Sequence, residues 1–562
     1  MRVGLLIDSD NLTAPFATVV DQILRSNFAD IVAVIENASA SAPASAPARP
    51  SNKFRTVLNM LMNPKLRSSI GFKAYSQLVQ KFRPTDQDLL RNVDCSAALA
   101  GAARIAAIPL RKGFVDRFSP ETVEQVRAMK LDVLLRFGFN IIRGDILTAA
   151  LYGVWSYHHG DNEFYRGGPP GFWEVYENNP CTGVILQVLT EELDGGLVLD
   201  KTVVSSELGI SYEANRVKPY VTASRMMVRA LQRLHAHGWD EVVRHAPPPA
   251  PYRGKRKLYR SPGNVETARF VAAKAGRMVS RRVTAKGDLA YHWRIGMRRR
   301  EPGACIPASV NGVRWLDSPR GTFHADPFVV QHQERTWVFV EEYVYARERA
   351  RVVCAEVSDD GNVGSWQAAL EEPWHLSFPF VFEAAGAMFM IPEAGESGKV
   401  TLYRAHDFPN RWVPERVLLD YGGLDTVAFQ HDDQWWFFIT MTDPRLASPQ
   451  LCLFSARSLF SELLFHPSNP ISSDIRHSRC AGRIHRTSSG LVRAAQDGAL
   501  RYGHALHFRK IDELSPSRYR ESALSSIYPD ASARIVGIHS WDCTDSLEVF
   551  DHVRWESFRD LA

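Results

Sequence analysis

The chain has 562 residues, 45% of them hydrophobic and 23% charged, with a formal net charge of +5. Those values describe a globular protein too long for one ordinary core, so two or three domains are expected, and the charge excess by itself implies no polyanionic partner. The seven cysteines form no C-x-x-C pair and no run of about eighteen apolar residues occurs, which argues against a structural zinc site, a disulfide framework and a membrane span and points to a cytoplasmic enzyme.

From the N-terminus, residues 3–7 and 31–35 read as short buried strands around an apolar-periodic helix over 16–24. This is a βαβ unit, which predicts a right-handed crossover in a parallel sheet. The opening apolar run is too short for a signal peptide and lacks a small-residue cleavage site. The turn after the first strand, Asp8-Ser9-Asp10-Asn11, does not have the G-x-G-x-x-G spacing of a dinucleotide site. Residues 38–50 are an Ala/Ser/Pro spacer, and 54–82 reads mostly helical with a break at Pro64. Residues 105–110 and 131–137 supply the third and fourth strands. Between them, Ser119-Pro120-Glu121 starts a helix that runs to Met129. The turn Phe137-Gly138-Phe139-Asn140 then lies at a strand's carboxyl end, where ligands of open α/β sheets bind.

Residues 153–196 carry the densest chemistry. A buried-strand pattern over 153–157 ends at His158 and His159, and a Gly/Pro-rich loop with Arg166-Gly167-Gly168 follows. After a short aromatic helix come a strand over 182–189 and then Leu193-Asp194-Gly195-Gly196. An imidazole at one strand end and a carboxylate just past another are what a general base and its orienting partner need.

The pieces Ser156-Tyr157-His158, Arg166-Gly167, Pro170, Thr182-Gly183 and Leu193-Asp194-Gly195 occur in the order of a known core motif. The stretch resembles the folate-dependent formyltransferases, which include the methionyl-tRNA and sugar-nucleotide N-formyltransferases. One position departs from their pattern: Ser156 stands where the family has Asn. The resemblance implies a Rossmann-like α/β domain with a mostly parallel sheet over residues 1–240, with 10-formyltetrahydrofolate as co-substrate and no metal. It also implies catalytic roles for Ser156, His158 and Asp194. His158 takes the proton of an attacking primary amine, Asp194 fixes the imidazole's tautomer, and position 156 donates to the oxyanion, with Asn140 or Asn162 as possible substitutes. The co-substrate is then held by the turn Phe137, Gly138, Phe139 and Asn140, where glycine lets a ligand approach the main chain, together with Glu192 and Leu193. His159, Arg166 and Gly167 are the expected acceptor contacts.

A strand over 197–204 and an amphipathic helix over 217–237 close this domain. The segment 241–302 reads as a basic linker with a helix over 266–279. Between 253 and 300 it has Lys/Arg at 253, 255, 256, 257, 260, 269, 274, 277, 281, 282, 286, 294, 298, 299 and 300, against Glu266 and Asp288 alone. A solvated linker whose helix packs against one domain is the plain reading; contact with anionic lipid head groups or substrate phosphates is the functional alternative. No RNA-binding module accompanies the charge, so nucleic acid is not an expected partner.

From residue 303 the texture changes to short strands and aromatics in a repeat of about fifty residues. Repeat openings fall at 325–329, 377–381, 424–428, 480–484 and 534–538, each followed by a second apolar strand such as WVFVEE or QWWFFIT. Five such units predict an all-β five-bladed propeller over 303–562. HADPF at 324–328, HLSFPFVFE at 375–383, Pro392-Glu393 and AAQD at 494–497 resemble the propeller domain of the glucosamine inositolphosphorylceramide transferases and, more remotely, five-bladed furanosidase-type glycoside hydrolases. First-strand residues line a propeller's axial channel, so Asp326, Asp425, His375 and Glu393 are expected to converge there, with Asp326, His375 and Glu393 as substrate contacts. The hydrolases' second-blade Asp has no counterpart near Pro379, which counts against hydrolysis. The combined expectation is formyl transfer to a small-molecule amine, an amino sugar that is nucleotide-linked or glycolipid-linked. The alternatives are methionyl-tRNA formylation, or a carbohydrate-binding or glycan-processing protein with an inactive formyltransferase-like domain.

Overall fold

The computed structural model describes residues 1–41, 69–82, 89–206, 212–284, 289–300, 306–442, 449–530 and 534–557. Most of the spacer expected at 38–50, the helical stretch over 54–68 and its break at Pro64 lie outside the described residues. The chain divides into two compact units, Met1–Arg281 and Arg282–Ala562.

The strands of the N-terminal unit are β1 (Arg2–Ile7), β2 (Asn11–Thr13), β3 (Asp30–Asn37), β4 (Asn92–Asp94), β5 (Ala103–Ala107), β6 (Leu110–Lys112), β7 (Val115–Arg117), β8 (Val133–Arg136), β9 (Ile141–Ile142), β10 (Val154–His158), β11 (Cys181–Val188) and β12 (Leu197–Ser205). Seven of them form the central sheet in the order β12-β11-β10-β8-β1-β3-β5. The run from β5 to β10 is parallel, and β11 and β12 are antiparallel. Leu5, Ile7, Leu135 and Trp155 pack on one face beneath the helices Ala14–Leu24 and Met226–His237. Leu6, Leu134 and Val154 pack on the other beneath the helix Pro120–Ala128. Burial on both faces is why β1 and β8 read as continuous apolar runs rather than as alternations. Ser119 caps its helix as expected, its Oγ accepting from the Thr122 amide at 3.2 Å with Pro120 following. The single helix expected over 217–237 is two, Tyr212–Ala223 and Met226–His237. They part where Ser224 Oγ donates to the Val221 carbonyl, 2.8 Å away, in competition with the helix ladder.

The helix of the basic stretch packs against the N-terminal unit as expected, but the 252–260 portion before it is not a solvated linker. Its 252–260 portion docks on the loop after His159: the Tyr259 amide donates to the Arg166 carbonyl at 2.8 Å and the Gly168 amide to the Tyr259 carbonyl at 3.1 Å. Arg256 sits 4.0 Å over the Trp173 ring and pairs with Glu266 at 2.7 Å, so desolvated rings and a carboxylate take up the charge. The helix Asn264–Thr284 follows, with Phe270 buried and 5.0 Å from the Phe172 ring.

The C-terminal unit is all-β. Its strands are β13 (Leu289–Arg299), β14 (Arg314–Trp315), β15 (Thr322–His332), β16 (Arg335–Val344), β17 (Arg349–Val357), β18 (Gln367–Leu370), β19 (Ser377–Ala384), β20 (Ala387–Glu393), β21 (Val400–Asp407), β22 (Arg411–Leu419), β23 (Gly423–His431), β24 (Gln434–Met441), β25 (Gln450–Ala456), β26 (Leu464–Phe465), β27 (Arg479–Thr487), β28 (Gly490–Asp497), β29 (Ala505–Leu514), β30 (Tyr519–Ile527), β31 (Trp541–Cys543) and β32 (Leu547–Ser557). They make five four-stranded sheets, four of them runs of consecutive strands. The fifth, β14-β13-β32-β31, joins strands from the two ends of the unit, pairing β13 and β32 in register from Leu289↔Ser557 to Arg299↔Leu547. The fifth repeat opening expected over 534–538 is not a strand. Gly537 makes a lone bridge to Val553, and the short β31 pairs with β32, whose other neighbour, β13, is drawn from the stretch that read as linker.

Candidate active site

Along β10, Val154, Ser156 and His158 point to one face and Trp155 and Tyr157 to the other. His158 and Asp194 are both nearly buried, with Nδ1 3.4 Å from Oδ1. The left-handed backbone of Asp194 (φ 52°) turns its carboxylate back over the Gly/Pro-rich loop, where Oδ2 accepts from the Gly167 amide at 2.9 Å. The other imidazole nitrogen, Nε2, lies 2.8 Å from the Tyr165 carbonyl. A carbonyl only accepts, so Nε2 carries a hydrogen while Nδ1 faces the Asp194 carboxylate. Nε2 therefore has no lone pair free to accept a proton in this conformation. Gly160 makes the contact possible, since a Cβ there would fall 2.7 Å from Nε2 and 2.9 Å from the Tyr165 oxygen.

Ser156 is buried and fully engaged: its Oγ accepts from Arg136 Nη1 at 3.0 Å and donates to the Tyr157 carbonyl at 3.2 Å. Arg136 also donates to the Phe139 carbonyl at 2.9 Å and to the Asn140 carbonyl from Nε at 3.1 Å and Nη2 at 2.7 Å. Burial lowers its guanidinium below the ordinary value, opposed by the carboxylates of Asp8, Asp194 and Asp116; it remains a cation at neutral pH.

The turn expected to hold a pterin is occupied by the protein itself. The Phe137 and Gly138 amides donate to the Leu6 carbonyl, each at 2.9 Å. The Phe139 amide donates to Asp8 at 2.9 Å, and Asn140 donates to Asp116 from its amide at 2.9 Å and from Nδ2 at 3.1 Å. Gly138 is needed for a close approach, but to β1: a Cβ would lie 2.3 Å from the Asp8 nitrogen. The open space lies one step further on, in a cleft lined by Arg136, Ile141, Arg143, Ser156, Gln187 and Asp194, with Ile142, Tyr157, Leu189, Thr190, Glu192 and Leu193 completing its walls. Arg143 Nε and Gln187 Oε1 are buried there without hydrogen-bond partners among the described residues. Of the expected co-substrate residues, the cleft thus has Glu192 and Leu193 but none of Phe137, Gly138, Phe139 or Asn140.

The remaining expected contacts serve the loop. Arg166 pairs with Glu192 at 2.7 Å and lies 4.9 Å over the Tyr252 ring. Gly167 has φ 97°, and a Cβ there would meet the Tyr259 oxygen at 2.3 Å. His159 is buried, stacked at 3.5 Å on the Tyr220 ring with Nε2 unpartnered, and held well below its ordinary value by burial and then by the charges of His158, Arg216 and Arg136. It is therefore a neutral member of an aromatic stack and not an exposed acceptor contact.

In the C-terminal unit, the first strands of three sheets share a bulge. Asp326, Phe378 and Asp425 all adopt φ of 45–49° where the register slips. Each bulge amide is met by a carboxylate: Asp326 donates to Asp551 at 3.1 Å, Phe378 to Asp326 at 3.2 Å, and Asp425 to Glu393 at 3.1 Å. Asp326, Glu393 and Asp425 do come together, as parts of this bracing. Asp425 and Glu393 share Arg479, at 2.5 and 3.4 Å. His375 pairs with Glu341 at 3.3 Å, and the Asp326 charge also acts on it. Arg479, His539 and Asp551 escaped sequence reasoning, since nothing local marks them. His539 is buried, 2.6 Å from Asp551 and 3.7 Å from Asp326. Burial opposes its charge, but Asp551 and Asp326 outweigh that and push it up to about 9. A histidine raised above its unfolded value of 6.5 stabilises fully below that value, and the benefit fades as pH rises through 9. His539→Gln is therefore expected to lower the melting temperature at pH 7, with the gap to wild type closing above pH 9; a pH-independent gap would contradict the ion pair.

Comparison with known proteins follows this division. Residues 313–550 match the family model described as glucosamine inositolphosphorylceramide transferase 1, N-terminal. The rice (Oryza sativa subsp. japonica) protein named glucosamine inositolphosphorylceramide transferase 1 is 31% identical over 206 residues, 35% of this chain and 27% of that protein. The chain thus spans about a quarter of the length of the first curated relatives it matches. A methionyl-tRNA formyltransferase of Synechococcus is 29% identical over 155 residues, 24% of this chain and 44% of that one. Among solved structures, glycinamide ribonucleotide transformylase 1 of Symbiobacterium toebii matches at 14% identity and a TM-score of 0.27, over 42% of this chain and 87% of that one. Among the described residues, no helix is long and apolar enough to cross a membrane.

Proposed function

We propose that the N-terminal unit transfers a formyl group from 10-formyltetrahydrofolate to the primary amine of an amino sugar. The observation that carries this reading is the His158–Asp194 pair, 3.4 Å apart, at the end of β10, beside a cleft that Asp194 lines together with Arg136 and Ser156. The cleft has a volume of about 60 Å³ in this conformation and must widen to admit the polar heterocycle of a folate, for which Ile141, Ile142, Leu189 and Leu193 give apolar walls and Arg143 Nε and Gln187 Oε1 a donor and an acceptor. That co-substrate, when bound, supplies an activated formyl carbon. The amine nitrogen bonds to this carbon, the carbon's bond to the folate nitrogen breaks, and the amine's proton ends on the departing nitrogen, with no change of oxidation state. His158 is the residue placed to carry that proton, and Asp194 stabilises the imidazolium. Nε2 must first leave the Tyr165 carbonyl and lose its hydrogen to solvent, with the imidazole keeping a hydrogen on Nδ1 toward Asp194, so opening of the 161–168 loop belongs to the cycle. The Arg166–Glu192 pair, whose glutamate is 66% exposed, is the latch that parts to widen the cleft.

The amino-sugar acceptor rests on the relatives matched by the C-terminal unit, which are named for glucosamine transfer to inositolphosphorylceramide. We read that unit as a five-bladed propeller. Its five four-stranded sheets and the pairing of β13 with β32, which ties its two ends together, support the reading. The test is to incubate the full chain with 10-formyltetrahydrofolate and free, nucleotide-linked or lipid-linked amino sugars, with initiator methionyl-tRNA as the rival acceptor. Release of tetrahydrofolate with an amino sugar, and folate binding by calorimetry, are expected; neither heat nor release would sink the assignment.

A further inference from the structure

The hydroxyl that stands at the expected oxyanion donor has no hydrogen to give. Ser156 donates its only one to the Tyr157 carbonyl at 3.2 Å and otherwise accepts from Arg136. The Asn140 side chain, a possible substitute, is turned onto Asp116 at 3.1 Å. A neighbouring strand brings a stronger donor. Parallel pairing of β8 with β10 sets Arg136 beside Ser156 in register, and both side chains line the cleft with Asp194. A guanidinium has five N–H groups. Four are accounted for by Asn140 (two), Phe139 and Ser156, which leaves one hydrogen on Nη1.

Resting on the formyl-transfer reading, we propose that Arg136 is a catalytic residue whose remaining Nη1 hydrogen meets the negative charge that develops on the formyl oxygen, and that Ser156 is a positioning residue that holds the guanidinium in place. The Phe139 and Asn140 carbonyls fix the plane of the fork, so the donor is set before substrate arrives. A charge-assisted donor is stronger than a neutral amide or hydroxyl, which accounts for a serine being sufficient at position 156.

The test uses the full chain, with Arg136→Ala, Arg136→Lys and Ser156→Asn in the Arg136→Ala background. Arg136→Ala should lower kcat by about 10²–10³-fold and leave the affinity for 5-formyltetrahydrofolate, which does not transfer its formyl group here, nearly unchanged by calorimetry. Added guanidinium ion should restore part of kcat in Arg136→Ala, and Ser156→Asn in the same background should restore part by returning an amide donor. A merely structural arginine would lose folate affinity and melting temperature along with rate, and free guanidinium would not help it. Arg136→Lys keeps the cation and serves if the alanine variant fails to fold; its kcat should fall while folate affinity holds. Wild-type turnover with kcat unchanged in both Arg136 variants overturns this inference and spares the formyl-transfer reading. A wild type that neither binds folate nor releases tetrahydrofolate overturns both.

Discussion

Asp194→Asn is expected to reduce release of tetrahydrofolate by about 10³–10⁴-fold with little change in folding, measured as kcat across pH beside the melting temperature. Asparagine keeps the size of the side chain and one oxygen for the Gly167 amide, which the aspartate accepts at 2.9 Å, so the loop stays anchored. What it loses is the charge 3.4 Å from His158 Nδ1. His158 already commits Nε2 to a carbonyl, so it can hold a second proton only with a carboxylate at Nδ1. Without that charge the imidazole has nothing to stabilise its protonated form during transfer. Asp194→Ala should be worse in a second way, since it also frees the Gly167 amide and loosens the segment that 252–260 covers. Turnover within tenfold of wild type in Asp194→Asn would remove the pair from the mechanism.

The parts of this site that local pattern records were legible in the sequence; the parts that depend on pairing between distant strands were not. His158 and Asp194 stand out because one sits at a strand end and the other just past one, each beside glycines with close-approach duties, as Gly160 and Gly196 show. Arg136 does not stand out, since an arginine closing an apolar strand reads as an ordinary solvent-facing end. Its role appears only once β8 lies parallel to β10 and sets it against Ser156. Gly138 was recognisable as a glycine that something must approach, and the group the structure sets against it is the end of β1. The second unit gives the converse lesson. In β13 the buried Trp293, Ile295 and Met297 alternate with Arg294 and Arg298, a period-2 signal in plain view. The surrounding excess of arginine masked it, because mean charge was weighed ahead of periodicity. The partners of the bulge residues were hidden for a similar reason: neither the Phe378 amide that the Asp326 carboxylate accepts from nor the Arg479 that pairs with Asp425 has a sequence signature of its own.

The largest stability effect is expected at Arg493, which has no exposed surface and lies mid-strand in β28. Its Nε donates to Glu521 Oε2 at 3.0 Å and its Nη2 to Oε1 at 2.8 Å. Arg509 and the Tyr519 hydroxyl add bonds to the same carboxylate at 3.2 and 2.6 Å. Removing one partner of such a pair strands the other's charge in the core, a cost of about 3–5 kcal/mol, whereas replacing both by apolar groups of similar volume costs far less. Arg493→Met should therefore lower the C-terminal unit's melting temperature by roughly 10 °C, at about 2–4 °C per kcal/mol for a unit of this size, and Arg493→Met/Glu521→Leu should recover much of the loss. The pH dependence gives the sign. Burial raises Glu521, but Arg493 and Arg509 outweigh it and hold the carboxyl at about 2 against an ordinary 4.5. A depressed carboxylate stabilises the fold fully above its unfolded value, and that contribution drains away as pH falls from 4.5 towards 2. The stability gap between wild type and Glu521→Gln should accordingly be widest near neutrality and narrow steadily below pH 4.5, because protonation then does to the wild type what the substitution does to the variant. A gap that stayed constant into acid would mean that the arginine is held by packing and its carbonyl contact to His477, 3.0 Å away, and not by charge.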